Sequence, residues 1–197
     1  MEVRPWDTQE PSNRRVPLAD AKMQADAVAS HLHHAIGVRR IDVVGSIRRR
    51  KETVGDLDLL VLCLEARPVM DRLAEYERVA EVLARDEKKM SVRLSSGLQL
   101  DLTVVPEDSY GAMLQCYTGS KGHTKELRRR AEELGLTVTD YGVFQGERRI
   151  AGRTEEEVYE AIGLPWIPPE LREGRGEFEL ALRGELPTTQ KLDDHPR

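Results

Sequence analysis

The sequence predicts an α+β fold, a mixed β-sheet backed by helices and followed by a smaller α+β unit. Three observations carry that prediction. Apolar residues recur at helical spacing over residues 18–36, and β-type runs of alternating or continuous apolar residues follow over residues 41–105. After Pro106 the character changes to helical segments around one small hairpin. A chain of 197 residues suits one large domain or two small ones.

Taken in order, residues 1–15 hold Pro and charge without periodicity and read as a flexible tail. Leu18, Ala21, Ala25, Val28, Leu32 and Ile36 form one helical stripe, with Pro17 near the start and Gly37 closing the helix. Residues 41–44 read as a strand leading into Gly45-Ser46, and residues 56–62 as a second strand. A helix is expected over residues 69–83, with Leu73, Tyr76, Ala80 and Leu83 on one stripe. Residues 91–105 read as a hairpin turning at Ser95-Ser96-Gly97. Further helices are expected over 110–117 and 120–134, the latter stopped by Gly135. A hairpin over 142–150 turns at Gln145-Gly146-Glu147. Thr154 and Glu157 then make a capping box for a helix that ends at Gly163 and Pro165. Residues 188–197 read as a second flexible tail. The expected domains are therefore 16–106 and 107–187.

Composition narrows the functional classes. Hydrophobic residues make up 39% of the chain and charged residues 33%. No run approaches the roughly 18 apolar residues of a membrane span, and the first thirty residues carry no secretory pattern. A cytoplasmic protein without a membrane partner is expected. Cys63 and Cys116 form no CxxC pair, so both read as reduced packing residues rather than metal ligands or a disulfide. A net charge of −5 argues against a polyanion partner, but the charges are segregated. Basic residues cluster at Arg14-Arg15, at Arg48-Arg49-Arg50-Lys51, and at Lys125 with Arg128-Arg129-Arg130. Acids cluster at 155–157 and through 170–185. Each basic cluster fits either a surface that meets phosphate or a solvated helix face.

The chemistry-bearing pattern is Gly45-Ser46, nine residues, then Asp56-Leu57-Asp58 inside an apolar strand. Side chains alternate along a strand, so Asp56 and Asp58 share one face about 7 Å apart. Two carboxylates so placed repel each other unless cations sit between them. In the strand around Asp101, that residue shares a face with Gln99 and Thr103, while Leu100, Leu102 and Val104 point the other way. If the two strands are neighbours, three carboxylates converge. Such hard oxygen ligands suit Mg²⁺, which also keeps substrate phosphates and water. A pair of such ions can clamp an in-line phosphoryl displacement. The Gly-Ser turn offers backbone N–H groups and a hydroxyl to a phosphate, with Arg49 in reach.

These residues resemble family X, the polymerase beta-like polymerases, and are most similar to the bacterial PolX-like branch. The stretch from Val44 through Gly45-Ser46 and Arg48-Arg49 to Gly55-Asp56-Leu57-Asp58 resembles the family's palm motif. Tyr117-Thr118-Gly119-Ser120 resembles its aromatic-Thr-Gly-Ser motif at the start of the thumb, and Arg15-Val16-Pro17 its lead-in to the palm. The resemblance spans residues 14–187 and implies a nucleotidyltransferase palm over 16–106 and a thumb over 107–187. It implies that Asp56 and Asp58 bind both of two Mg²⁺ ions, for which Mn²⁺ can substitute. Asp101 would bind the catalytic ion and help to activate a primer 3′-hydroxyl. Arg15, Gly45, Ser46, Arg49 and Gly55 would hold the triphosphate of an incoming dNTP. Tyr117 and Gly119 would line its sugar, and Thr124 would stand by its base. Arg128 would reach the template minor groove, and Tyr141 would support the closed thumb.

Several positions depart from the family pattern or admit a plainer reading. Cys116 stands where the family usually has an aromatic, and Thr124 where it usually has Asn; Thr cannot make a bidentate contact to a base. Tyr117 lies one helical turn from Met113 and also fits a core aromatic. Arg128-Arg129-Arg130 are spread around a helix by steps of about 100°, so any one of them could face DNA. His123, without a metal-ligand partner at suitable spacing, reads at most as a phosphate or backbone contact. Family members usually carry amino-terminal lyase and helix-hairpin-helix domains, and the bacterial branch a carboxy-terminal phosphoesterase. Neither lyase nor exonuclease activity is expected here. The resulting expectation is a monomeric DNA-directed DNA polymerase that fills short gaps in primer-template DNA during repair. The alternatives are nucleotide transfer to a small molecule or protein, and a non-catalytic DNA-binding module.

Overall fold

The computed structural model describes residues 15–188 of the chain. The first half is built on a five-stranded sheet. β1 (Val16–Pro17) leads into helix α1 (Leu18–Leu32), whose Ala21, Ala25, Val28 and Leu32 are fully buried. β2 (Val38–Val43) is followed by one turn of helix, α2 (Gly45–Arg48), then by β3 (Thr53–Val54) and β4 (Asp56–Cys63). After α3 (Ala66–Ala74) come β5 (Val79–Arg85), β6 (Lys89–Leu94) and β7 (Gln99–Val105). The sheet order is β2-β4-β7-β6-β5, with β4 and β7 parallel and the other neighbours antiparallel, so the sheet is mixed.

Alternation along β4 explains the layering. Leu57, Leu59, Val61 and Cys63 face α1 and α3 and join the larger apolar cluster. Leu60 and Leu62 face the other way. Together with Val44 and Val105 they pack under Tyr110, Met113 and Leu114 of α4 (Tyr110–Thr118), the first helix of the second half. At its amino-terminal end that second face carries no apolar cover, and there Asp56 and Asp58 emerge.

The second half continues with α5 (Lys121–Glu133), a three-stranded antiparallel sheet of β8 (Thr137–Thr139), β9 (Gly142–Gln145) and β10 (Arg148–Ala151), then α6 (Glu155–Ala161) and α7 (Glu177–Arg183). Its core joins Leu127 and Ala131 of α5 to Val143, Val158, Tyr159, Ile162, Ile167 and Phe178. Among the described residues no helix is long and apolar enough to cross a membrane.

Several sequence expectations need correction. α1 stops at Leu32, so Ile36 is not part of the stripe and is 82% exposed. The helix expected over residues 69–83 is two elements. α3 ends at Ala74; the turn through Tyr76 and Val79, whose N–H groups donate to the Leu73 and Tyr76 carbonyls, reverses the chain; β5 then follows. The open edge of β6 supplies a ladder for Val79, Val82 and their neighbours, and pairing overrides helical periodicity there. β1, β3, β8, α2 and α7 were not anticipated. The capping box is half reciprocal. Thr154 Oγ1 accepts from the Glu157 N–H at 3.1 Å, but the Glu157 carboxylate accepts from the N–H groups of Gly152 and Arg153, not from Thr154. The tails expected at 1–15 and 188–197 lie outside the described residues except for Arg15 and Thr188.

Candidate active site

Strand register brings the three predicted acids together. In the parallel β4–β7 pair Asp58 stands directly opposite Asp101, and Asp56 opposite Gln99. Asp56 and Asp58 alternate with buried Leu57 and Leu59, so all three carboxylates lie on one polar face of two neighbouring strands. Burial and mutual repulsion show in the protonation of Asp56 and Asp58. Burial pushes the Asp58 carboxyl up to about 8, with Asp56 and Asp101 adding to the shift. Asp56 is raised by burial and by Asp101.

The Gly45-Ser46 turn is fastened to this face. The Val44 N–H donates to the Asp58 carbonyl at 2.9 Å, and Gly45 follows with φ of +63°. A Cβ on Gly45 would come within 2.2 Å of Asp58 Oδ2, so only glycine lets the turn approach the carboxylate this closely. Ser46 Oγ is buried and has no hydrogen-bond partner among the described residues. Pairing of β1 with β3 sets Arg15 beside the same site. Its guanidinium donates to Thr53 Oγ1 and the Thr53 carbonyl at 2.9 and 2.6 Å, and Nη1 lies 3.3 Å from where a Gly55 Cβ would stand.

Arg49 stands close enough to lower the Asp58 pKa, but its donors point elsewhere. Nε donates to Glu173 at 3.1 Å and Nη1 to the Thr118 carbonyl at 2.5 Å. Gly119, at φ +68°, follows directly, and a Cβ there would meet Arg49 Nη1 at 3.2 Å. Tyr117 is half-buried against the α4 cluster, with Lys89 Nζ 5.3 Å from its ring centroid. Thr124 is buried on α5, and its hydroxyl lacks a partner among the described residues. Arg128 is ion-paired with Asp140 at 3.2 Å, and the Cys116 thiol donates to the same carboxylate. Burial, with Asp140 adding, pushes that thiol up to about 12. Tyr141 is exposed in the turn between β8 and β9. His123 faces inward. It is fully buried between Glu177 and the Tyr159 hydroxyl, each 2.7 Å away, so it is a core histidine and not a phosphate contact. Burial holds its pKa below the usual imidazole range.

Sequence reading missed the acids that answer the first basic run. Glu155 takes both Arg48 nitrogens at 2.8 and 2.7 Å and Arg172 at 2.5 Å; Glu173 takes Arg49 and Lys51; Glu170 takes Arg50. The complementary acid clusters at 155–157 and 170–185 were the signal that could have found them.

The donor set fits a hard divalent cation such as magnesium by its chemistry: three carboxylates on one face, two of them, Asp56 and Asp58, with protonation raised by burial and by their acidic neighbours. Among the described residues no three His, Cys, Asp or Glu side chains have already closed into a metal-binding cluster. Asp58 leans on the Gly45 turn, and the Asp101 carboxylate is engaged by Ser91 and Gln99.

Comparison with known proteins agrees with this architecture. Residues 113–173 match the DNA polymerase beta thumb family, so the second half is of polymerase thumb type. The chain is similar to the DNA polymerase/3′-5′ exonuclease PolX of Bacillus subtilis (strain 168), 34% identical over 170 residues, covering 84% of this chain and 30% of that one. It is 26% identical over 159 residues to DNA polymerase lambda of Rattus norvegicus, covering 66% of this chain and 28% of the relative. Over 78 residues, 38% of this chain and 16% of the relative, it is 35% identical to the DNA-directed DNA/RNA polymerase mu of Homo sapiens. The chain thus spans less than a third of the length of these relatives. It belongs to family X, the polymerase beta-like polymerases, and is of the bacterial PolX-like kind.

Proposed function

We propose that this chain is a template-dependent DNA polymerase that adds dNMPs to a primer 3′-hydroxyl and fills short gaps in DNA. The observation that carries the reading is the register of Asp58 against Asp101, with Asp56 on the same face and the Gly45-Ser46 turn beside it. On this reading residues 16–106 are a nucleotidyltransferase palm and 107–187 the thumb. Asp56, Asp58 and Asp101 would hold Mg²⁺. Two such ions supply, when bound, activation of the attacking oxygen and stabilisation of the leaving pyrophosphate.

The chain's own groups do the rest. Asp101, on β7 and so across β4 from the strand that leads into the Gly-Ser turn, is the carboxylate we assign to the primer end. Ser46 Oγ, in the turn and without a partner among the described residues, and Arg15 beside Gly55 are donors for the triphosphate. Arg49 joins them by exchanging the Glu173 carboxylate for phosphate oxygen. Tyr117, Gly119 and Thr124 line the nucleotide, and Arg128 and Tyr141 lie on the thumb surface toward the template. A duplex carrying a one-nucleotide gap, supplied with Mg²⁺ and each dNTP in turn, tests the proposal. The expected product is primer extended by the complementary nucleotide alone. Extension independent of the template base, or transfer to a small molecule instead of the primer, would overturn it.

A further inference from the structure

Asp101 is held by two uncharged donors that no role described above requires. Ser91 lies on β6, directly opposite Asp101 in the antiparallel β6–β7 ladder, and its hydroxyl donates to Asp101 Oδ1. Gln99, two residues before Asp101 on the same face of β7, offers its amide Nε2 at 3.1 Å from each Asp101 oxygen. Ser91 is 6% exposed, so its hydroxyl is a buried polar group, and Asp101 is the partner it takes.

We infer that Ser91 and Gln99 are positioning residues that set the Asp101 carboxylate for metal binding. This rests on reading Asp56, Asp58 and Asp101 as ligands. An ionised carboxylate has about four acceptor sites. The Ser91 hydroxyl takes the oxygen drawn toward β6, on the far side of β7 from β4. Oδ2, whose only donor among the described residues is the shared Gln99 amide, is left as the oxygen for a cation. Both donors are neutral, and that choice has a physical consequence. A hydroxyl and an amide fix orientation without adding a positive charge beside the metal site. Partners that orient a metal ligand typically change affinity by about 10–100-fold when removed.

The test is Mn²⁺ binding by titration calorimetry on the full chain, compared for the parent, Ser91→Ala, Ser91→Thr, Gln99→Leu and Asp101→Ala. Ser91→Ala and Gln99→Leu should each weaken Mn²⁺ about tenfold, while Ser91→Thr, which keeps the hydroxyl, restores most of the parental affinity. In primer extension the same two variants should need correspondingly more Mg²⁺ for half-maximal rate, with the KM for dNTP unchanged; a merely structural loss would lower the rate at every Mg²⁺ concentration. If Asp101→Ala loses Mn²⁺ affinity but Ser91→Ala and Gln99→Leu bind as the parent does, the positioning inference is wrong and the ligand assignment stands. If Asp101→Ala also binds as the parent does, the ligand assignment itself has failed.

Discussion

Two runs of basic residues look alike in this sequence and do different things in the fold. Arg48, Arg49, Arg50 and Lys51, at the end of α2 and just after it, reach across to Glu155, Glu173, Glu170 and Glu173 of the second half. Arg48 and Glu155 sit with Arg172 in a buried network, with the Thr118 hydroxyl and Trp166 also bonded into it. Arg128, Arg129 and Arg130 on α5 serve their own half. Arg129 pairs with Glu126 and Glu133 one turn away on its own helix, Arg130 donates to the Ile162 carbonyl, and Arg128 pairs with Asp140 at about half exposure. The first run joins the two halves, and the second stays within its own half, where Arg128 and Arg129 are each about half exposed. A cluster of positive charge is therefore a statement about partners only once its acids are located.

The comparison can be broken most severely at Glu155. Glu155→Ala leaves Arg48 and Arg172 facing each other with no anion between them. It should cost about 3–5 kcal/mol, as for other broken buried pairs, read as a fall in the urea midpoint. The same site sets an acid limit. Burial alone would raise the Glu155 pKa, but Arg172 and Arg48 drive it well below the usual carboxylate range. Glu177 is likewise held at about 2 by His123 and the Gly174 and Arg175 N–H groups, against its own burial. Groups depressed in the folded state contribute stability in full above their unfolded pKa of about 4.3. These two groups should therefore make stability fall as pH drops from about 4.5 toward 2, with a shallower fall in Glu177→Gln.

A smaller effect of opposite sign is expected at Glu173. Glu173→Gln removes the carboxylate that occupies Arg49, so the KM for dNTP should fall several-fold in single-gap extension; a rise would show that Glu173 orients Arg49 for the nucleotide instead. Arg128→Ala should reduce the slope of log affinity for gapped DNA against log salt by about one, with the urea midpoint unchanged because its ion pair is exposed. Least of all, Arg129→Ala should leave both DNA affinity and the urea midpoint at parental values, since its partners lie on the exposed face of the same helix.

Much of the site was legible because strand alternation is a local rule. Asp56-Leu57-Asp58 and Gln99-Leu100-Asp101 each state which side chain turns away from the core, and only the parallel pairing of β4 with β7 had to be supplied by the fold. Glycines 45 and 135 likewise marked a turn and a helix end through local backbone needs. What escaped depends on distant partners. The strand β5 follows from an open edge on β6, not from the pattern of residues 79–85, whose helical spacing is equally good. His123 pairs with Glu177, 54 positions away, on a helix that was itself unforeseen. Glu173 lies 124 positions from Arg49, and only the opposite charge of their two clusters points from one to the other.

The most direct test of the central claim is the rate of single-gap extension by Asp101→Asn, a substitution that keeps size and hydrogen bonding while removing the charge. If three carboxylates on β4 and β7 act together on a common pair of cations, the rate with saturating Mg²⁺ should fall by about a thousandfold or more, which corresponds to roughly 4 kcal/mol of lost transition-state stabilisation. A rate within a few-fold of the parent would contradict the account, however well the variant folds.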